Sequence, residues 1–452
     1  GDENSSWPHL RFGGITKETV NPYMTLHQGY KERSRYSATT RAEYIHNLSS
    51  LVKGLELRAS VSLNKIGYYS NAYSTTPFMY ALKDYSFVTD THELTILNES
   101  EAERTLSKNS KNSSREQKTQ LMYEVRGLHT ASWGNHQTSL TAVFNMQETT
   151  ISETSSVLDG IPNRNMGLSM RGSYGFKDKY FVEASFGYNG SERFADNHRW
   201  GFFPAVGGAW IVSKERFLAD NTSGWLSFLK FRFSWGQVGN DGIVSNPRFA
   251  HLPEISTATV NDPRRGENTM GRYVVVSYPN SKIKWEIAEQ MNLGIETKFF
   301  DGLVELNADI YQEIRHNILD YRYNVPQTTG LYALQLSNVG RARSRGIDLS
   351  GKIQHAFSPD CWMILNGTYT YSKAIYQKIE EATDKPDWQR KKGKEISQQI
   401  GYIADGLFYD ESEILSAPRQ EGDRMPGDIR YRDVNDDGQI DVNDAVYIGY
   451  PT

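Results

Sequence analysis

Cysteine is all but missing. Cys361 is the single one in 452 residues, so no internal disulfide holds the chain together. Neither sign of charge prevails: 50 basic residues meet 54 acidic ones, a net charge of −4, without the basic excess of a nucleic-acid binder. Apolar runs are short as well. The longest, Phe202 to Val212, is broken by Pro204, Gly207 and Gly208 and falls well below a helical membrane span. The opening stretch GDENSSWPHL has neither a basic start nor an apolar h-region, and the expectation is a chain that begins after its targeting segment. Catalytic signatures are missing too: there is no HExxH, no GxSxG, no P-loop and no GxGxxG on a strand-to-helix turn. The 10 histidines are scattered, with His129 and His136 among the closest, and no cysteine partners them, which argues against a zinc site. Glu380 and Glu381 sit in charged loop sequence and read as solvated charge, not as the acid and base of a glycosidase. The sequence points to no enzyme.

What the chain has in plenty is aromatic residues: 27 Tyr, 19 Phe and 9 Trp make 12% of a chain whose hydrophobic share is 38%. These sit in segments of period two. In 55–63 the odd positions read Leu55, Leu57, Ala59, Val61 and Leu63, against Glu56, Arg58, Ser60 and Ser62. In 180–188 one face carries Tyr180, Val182, Ala184, Phe186 and Tyr188, with Glu183 and Ser185 opposite. The same alternation opposes Phe231, Phe233 and Trp235 to Lys230, Arg232 and Ser234, and Met291, Leu293 and Ile295 to Asn292 and Glu296. It returns in 304–310, 347–353 and 363–371. Alternate side chains of a strand point to opposite faces, so these are strands with one apolar and one wet face.

Two details favour a membrane barrel over a soluble sandwich. Aromatic residues mark the ends of the apolar rows, as the interfacial girdles of a barrel do: Tyr180 and Tyr188, Trp235, Phe299, Tyr371. Connections also alternate in length. Asp301-Gly302 reads as a tight hairpin of the Asp-Gly type, and Gly134-Asn135, Lys177-Asp178 and Ser358-Pro359-Asp360 look equally brief. Between them lie long polar stretches at 90–119, 238–286, 312–345 and 372–450. Short turns on one side and long loops on the other are the outer-membrane arrangement. Periodicity alone leaves open a large secreted β-protein whose aromatics fill a core.

Six blocks, in order, carry a family resemblance. They are KYFVEASFGYNGSERF with GFFPAVGGAWIVSKERF; LKFRFSWGQVGND; WEIAEQMNLGIETKFFDGLVELNADIY; NVGRARSRGIDLS; IADGLFYDESEI; and PGDIRYRDVNDDGQIDVNDAVYIGYP. From about residue 180 onward the chain resembles the SusC/RagA family of TonB-dependent outer-membrane transporters. The first 180 residues fit only loosely. The resemblance implies an all-β fold, part of a 22-stranded transmembrane antiparallel barrel with long extracellular loops, in the bacterial outer membrane. Family members carry a plug domain ahead of the barrel and further strands after it, so residues 1–452 read as a barrel segment without plug. The implied function is active import of oligosaccharides, with peptides as the alternative. Implied partners are a SusD-like surface lipoprotein that delivers substrate, the TonB complex acting through a segment not found here, and outer-membrane lipid; a secreted carbohydrate-binding β-protein or a passive porin would be the rival classes. Trp388, Tyr332 and Tyr273 are loop aromatics suited to stack on sugar rings, or simply to pack a loop.

Strand parity from a periplasmic Asp301-Gly302 turn sends 303–311 outward, 346–355 inward and 361–371 outward, and makes 372–450 one extracellular excursion. Within it, residues 433–444 read DVNDDGQIDVND. On EF-hand-type spacing Asp433, Asn435 and Asp437 hold positions 1, 3 and 5, with Gly438 at the sharp turn. Gln439 would offer its carbonyl at 7, Asp441 its carboxylate at 9, and Asp444 closes the loop at 12 in place of the usual bidentate Glu. This spacing leads us to expect a structural Ca2+, with an Asx-rich turn needing no ion as the alternative.

Overall fold

The computed structural model describes residues 11–16, 18, 21–100, 105–152, 160–219, 225–242, 249–261 and 269–450. Its strands are β1 (Phe12–Gly13), β2 (Gly29–Asn47), β3 (Leu55–Ser74), β4 (Met79–Ser86), β5 (Thr91–Ile96), β6 (Ser107–Trp133) and β7 (His136–Ser152). There follow β8 (Asn163–Phe176), β9 (Tyr180–Ser191), β10 (Trp200–Ile211), β11 (Leu226–Asn240), β12 (Glu254–Asn261), β13 (Thr269–Ser277), β14 (Glu286–Phe299) and β15 (Val304–Tyr321). The last are β16 (Leu336–Ser358), β17 (Cys361–Lys378), β18 (Gln399–Gly401), β19 (Ala404–Leu407), β20 (Ile429–Tyr431) and β21 (Val446–Gly449). Twelve of them make one sheet in the order β17-β16-β15-β14-β11-β10-β9-β8-β7-β6-β3-β2. Sequential strands neighbour one another throughout, apart from the β4–β5 and β12–β13 hairpins, which branch off as separate ladders.

The chain divides into two compact units. One comprises Gly1–Ala42, Val61–Met122 and Gln147–Asn163; the other comprises Glu43–Ser60, Tyr123–Met146 and Arg164–Thr452. In the first, β1 runs parallel to β4, and β5 completes a small sheet. Phe12, Met24 and Met79 form its buried cluster, with Leu97 packed alongside. The short helix Pro22–His27 is capped by the Asn21 side chain, which accepts from the N–H groups of Tyr23 and Met24.

The second unit carries the amphipathic sheet. From β8 to β17 the pairing is antiparallel, and its register shifts lie toward the strand ends, near Leu226, Ile318, Ala342 and Ser358, so each alternating row read from the sequence stays on one face across the belt. Val182 faces Tyr174 and Gly208, and Leu293 faces Phe233 and Ile310. On β9 the apolar belt runs from Tyr180 to Tyr188. Eight steps of about 3.3 Å, on strands tilted roughly 40°, give a band about 20 Å tall, the height of a thin hydrocarbon core. Its rim nearest the short turns is aromatic: Tyr180 stacks near Trp210 with ring centres 6.5 Å apart, and Tyr188 lies over Trp200 at 4.9 Å near the other rim.

Short turns close one end of this unit. Lys177 and Asp178 both take positive φ (53° and 51°) in the β8–β9 turn, and Pro359-Asp360 alone links Ser358 to Cys361. One connection differs from expectation. The β14–β15 link is not a two-residue Asp-Gly turn: Phe299 pairs with Val304, and Phe300, Asp301 and Gly302 all take positive φ (52°, 56°, 89°). Here Ser227 Oγ receives the Asp301 N–H at 2.7 Å and steadies the wider turn. The β10–β11 connection is also longer than its neighbours and holds a short helix at Arg216–Ala219.

At the opposite end the strands run further than periodicity suggested. Segments 312–321 and 336–345, read as loop, are the upper parts of β15 and β16; 107–119 belongs to β6; β17 continues to Lys378, so the last excursion starts there and not at 372. The excursion between β11 and β14 contains the β12–β13 hairpin; its parts at 243–248 and 262–268 lie outside the described residues. Where both faces of a strand meet water, nothing enforces polar–apolar alternation, so the signal fades while the hydrogen-bonded ladder continues. A buried cluster of Phe194, Phe203, Ala250, Ile283, Trp285 and Leu336 joins these upper parts. Phe203 lies across Gly201 and Gly239, where an added Cβ would sit 2.3 and 2.0 Å from its ring.

Candidate functional site

The polar face of β8 to β17 is built by register. One transverse row runs Phe181, Ala209, Arg232, Gly294, Asp309, Asp348, Thr370 across seven strands. Arg232 spans the bare Gly294 to reach both oxygens of Asp309 at 3.0 Å, and its Nε lies 2.7 Å from Glu296. Gly294 is required for this reach, since a Cβ there would stand 2.5 Å from Asp309 Oδ1 and 2.9 Å from Arg232 Nη2. One row away Lys230 pairs with Glu296 at 3.3 Å, and beyond it Lys298 pairs with Glu305 at 3.3 Å. Arg171 pairs with Glu183 at 2.6 Å on β8 and β9. In the row above, Tyr311 lies over Gly346, whose Cβ would meet its hydroxyl at 2.2 Å.

The charges on this wall thus cancel largely among themselves, which is what a half-buried surface requires when each lone charge would carry its own desolvation penalty. Between the pairs stand small and hydroxyl-bearing side chains. Ser173, Glu183, Gly207, Ser234 and Asn292 line a concavity of about 1070 Å³ inside the second unit. Such a wall offers hydrogen-bond donors and acceptors to a polar solute. The sequence supplied the alternating rows; it did not supply these pairs, because Arg232, Gly294 and Asp309 meet only through the register of β11, β14 and β15.

Beyond Lys378 the chain builds its own small scaffold from the β18–β21 and β19–β20 ladders. It is tied down by charge. Arg322, from the β15–β16 loop, meets Glu380 at 3.4 Å. Burial pushes the Glu381 carboxyl up, but the Lys391 N–H and the Lys385 ammonium, each at 3.0 Å, outweigh it and hold the group below the usual carboxylate range. Glu395 is held down by Lys373 and Tyr450, and Asp405 by Arg432 at 2.6 Å. Of the three aromatics read as loop residues, Trp388 is partly exposed and donates Nε1–H to Asn443 O at 2.9 Å, Tyr332 is 54% exposed, and Tyr273, 82% exposed, stands on strand β13 opposite Thr257 and not in a loop.

The 433–444 loop keeps the turns its sequence encodes. Asp433 accepts from the N–H of Gly438 at 2.7 Å, Asn435 and Asp433 both accept from Asp437 N, and Asp437 accepts from Gln439 N at 2.8 Å. Asp436 and Gly438 supply the positive φ values (56° and 84°) that bend the chain. Asp441 caps the turn after it by accepting from Asn443 N. Asp444 is fully buried and accepts from Val434 and Asp441 N–H groups at 2.8 Å. Ile440 is buried as the apolar anchor of the loop. The donor set is all oxygen, the chemistry a calcium ion takes. Among the described residues, however, no three His, Cys, Asp or Glu side chains converge as a metal cluster.

Comparison with known proteins agrees with this architecture. The family described as TonB dependent receptor-like, beta-barrel matches residues 2–447. The chain is 24% identical over 294 residues to TonB-dependent receptor P3 of Formosa agariphila, covering 62% of this chain and 28% of that protein. It is 26% identical over 289 residues to TonB-dependent receptor SusC of Bacteroides thetaiotaomicron, covering 60% of this chain and 27% of that protein. Among solved structures, the RagAB peptide transporter superposes with a TM-score of 0.67 at 16% identity, covering 95% of this chain and 45% of that one. The matches to the curated relatives therefore span about a quarter of their length, and that to the solved transporter under half of it.

Proposed function

The chain belongs to the TonB-dependent receptor-like β-barrel family of the outer membrane, and on that premise we propose that it forms barrel wall of an importer that takes up oligosaccharides. The observation that carries the reading is the two-faced sheet: a lipid-height apolar belt on one side and, on the other, a polar wall whose charges are internally paired around a 1070 Å³ concavity. Hydroxyl and amide side chains between the ion pairs suit a neutral, hydroxylated solute better than a charged one. Exposed Tyr273, on the β12–β13 hairpin, and Tyr332, in the β15–β16 loop, supply faces on which sugar rings stack. A SusD-like lipoprotein on the loops would deliver the substrate, and TonB, acting through a segment outside this chain, would energise entry.

A peptide importer is the second reading. The likeness to RagAB motivates it, and at 16% identity that likeness speaks for the fold alone. A secreted carbohydrate-binding protein no longer fits an outer-membrane family. The same reading proposes a structural Ca2+ in the 433–444 loop, held by Asp433, Asn435, Asp437, Gln439, Asp441 and Asp444, where it would stiffen the excursion. Deletion of the gene, with growth measured on panels of oligosaccharides and of peptides as sole carbon source, tests the import reading. Growth lost only on an oligosaccharide, restored by the full-length gene and lost again without TonB, is the expected result. Loss confined to peptides would replace it with the second reading.

A further inference from the structure

The lipid-facing row does not end alike on every strand. On β16 it reads Leu349, Ile347, then Arg345 and Arg343; on β17 it reads Tyr369, Tyr371, then Lys373. No register shift occurs between these residues: Ile347 faces Tyr371, Arg345 faces Lys373, and Arg343 faces Ile375. All three cations therefore share the face of Ile347 and Tyr371, and they lie one or two side-chain steps beyond the apolar belt, at the loop end. On the neighbouring strands the same level is neutral or acidic, with Gln312 on β15 and, on β14, Glu289, which takes the Trp235 indole N–H at 2.9 Å. The cationic patch is local.

Opposed like charges across a strand pair destabilise it unless an anion answers them. Glu395 answers Lys373. Arg345, exposed, donates its Nε–H only to the neutral Gln312 amide at 2.7 Å, and among the described residues neither it nor Arg343 has a carboxylate partner. Two guanidinium groups are thus left on an outward face immediately above Tyr371, at headgroup level. Guanidinium forks match phosphate oxygens in pairs. We propose that Arg343 and Arg345, flanked by Lys373, bind the phosphate of a phosphorylated glycolipid in the outer leaflet, anchoring this side of the barrel in that leaflet.

The inference rests on the outer-membrane reading with its loops outward. The test uses the full-length transporter in neutral-detergent micelles, titrated with a phosphorylated lipid A-type glycolipid, with its dephosphorylated counterpart and with inorganic phosphate. The parent should prefer the phosphorylated lipid, and Arg343→Gln/Arg345→Gln should weaken that binding about thirtyfold. Lys177→Gln, at the opposite end of the sheet, should leave it unchanged, and Arg343→Lys/Arg345→Lys should retain part of it. Equal binding by the parent and the Gln variant, or equal affinity of the parent for the dephosphorylated lipid, overturns the proposal. Competition by millimolar inorganic phosphate at full strength would make this a free-anion site and overturn it equally. If the Gln variant loses the heat-modifiable mobility of a folded barrel, the Lys variant decides: lipid affinity no better than for the dephosphorylated lipid overturns the proposal. A loop tag found in the periplasm would refute the orientation independently of the binding result.

Discussion

Ala184→Arg places a guanidinium in the middle of the apolar belt, four residues from Tyr180 on one side and four from Tyr188 on the other. Ala184 is exposed on the face it shares with Val182, and across the ladder it meets Gly172 and Val206. At that depth an arginine on the lipid face of a barrel costs about 2–4 kcal/mol. Ser185 lies one residue away on the polar face, opposite Arg171 and Ala205. An arginine there meets a like charge directly across the ladder, worth at most about 1 kcal/mol, and Glu183, already paired with Arg171 at 2.6 Å, is at hand to share. The difference between the two variants is then roughly 1–4 kcal/mol, or between about fivefold and nearly a thousandfold in the folded, inserted population. The assay is the fraction of full-length protein recovered from outer membranes in heat-modifiable form, followed by a denaturant titration of each variant in lipid vesicles. Equal loss in both variants, or greater loss for Ser185→Arg, would refute the assignment of faces.

Gly294→Val should break the reach of Arg232 to Asp309 and destabilise the sheet by about 1–3 kcal/mol, and in the Arg232→Ala background most of that cost should vanish; additive losses would show that Gly294 serves another purpose. Glu215 is held below the usual carboxylate range, first by the Tyr180 hydroxyl, then by the Trp210 N–H and the Lys179 ammonium. A carboxylate whose folded value is depressed contributes stability above its unfolded value, near pH 4.3, and loses it as pH falls through the folded one. Glu215→Gln should therefore lower the melting temperature at pH 7 and leave it nearly unchanged at pH 3; an equal drop at both would show that shape, not charge, matters there. Metal analysis after millimolar calcium supply should find the ion in wild-type protein and not in Asp433→Ala or Asp437→Ala, and no ion in the wild type would leave the loop as a chain of Asx turns.

What the sequence made legible is the part of each strand that crosses the belt. Between Tyr180 and Tyr188, lipid on one face and a wet wall on the other force alternation, and the pattern reads directly as geometry. Past the belt that constraint is gone: Asp320 and Tyr321 of β15 still pair with Ser337 and Leu336 of β16, yet nothing in their polarity announces a strand. The width of the β14–β15 turn was hidden for a different reason. Asp301-Gly302 is a common hairpin signal, but the preceding Phe300 also adopts positive φ, and its cost is met by the contacts of Ser227 with Asp301. The polar wall was legible as composition and not as pairing. Lys230 and Arg232 were evident as inward charges, but their partners Glu296 and Asp309 depend on the register that β11 and β14 adopt after a long intervening excursion. The calcium-type loop is the reverse case, a local motif whose Asx turns are set by residues close in sequence.

The central claim is that the apolar face meets lipid while the excursion after β17 stands outside the cell. A peptide tag within 384–395, beside the exposed Asp384, probed with antibody on intact cells expressing the full-length protein, tests it most directly. The account predicts that the tag is reached in intact cells; a tag reached only after the outer membrane is broken would contradict it.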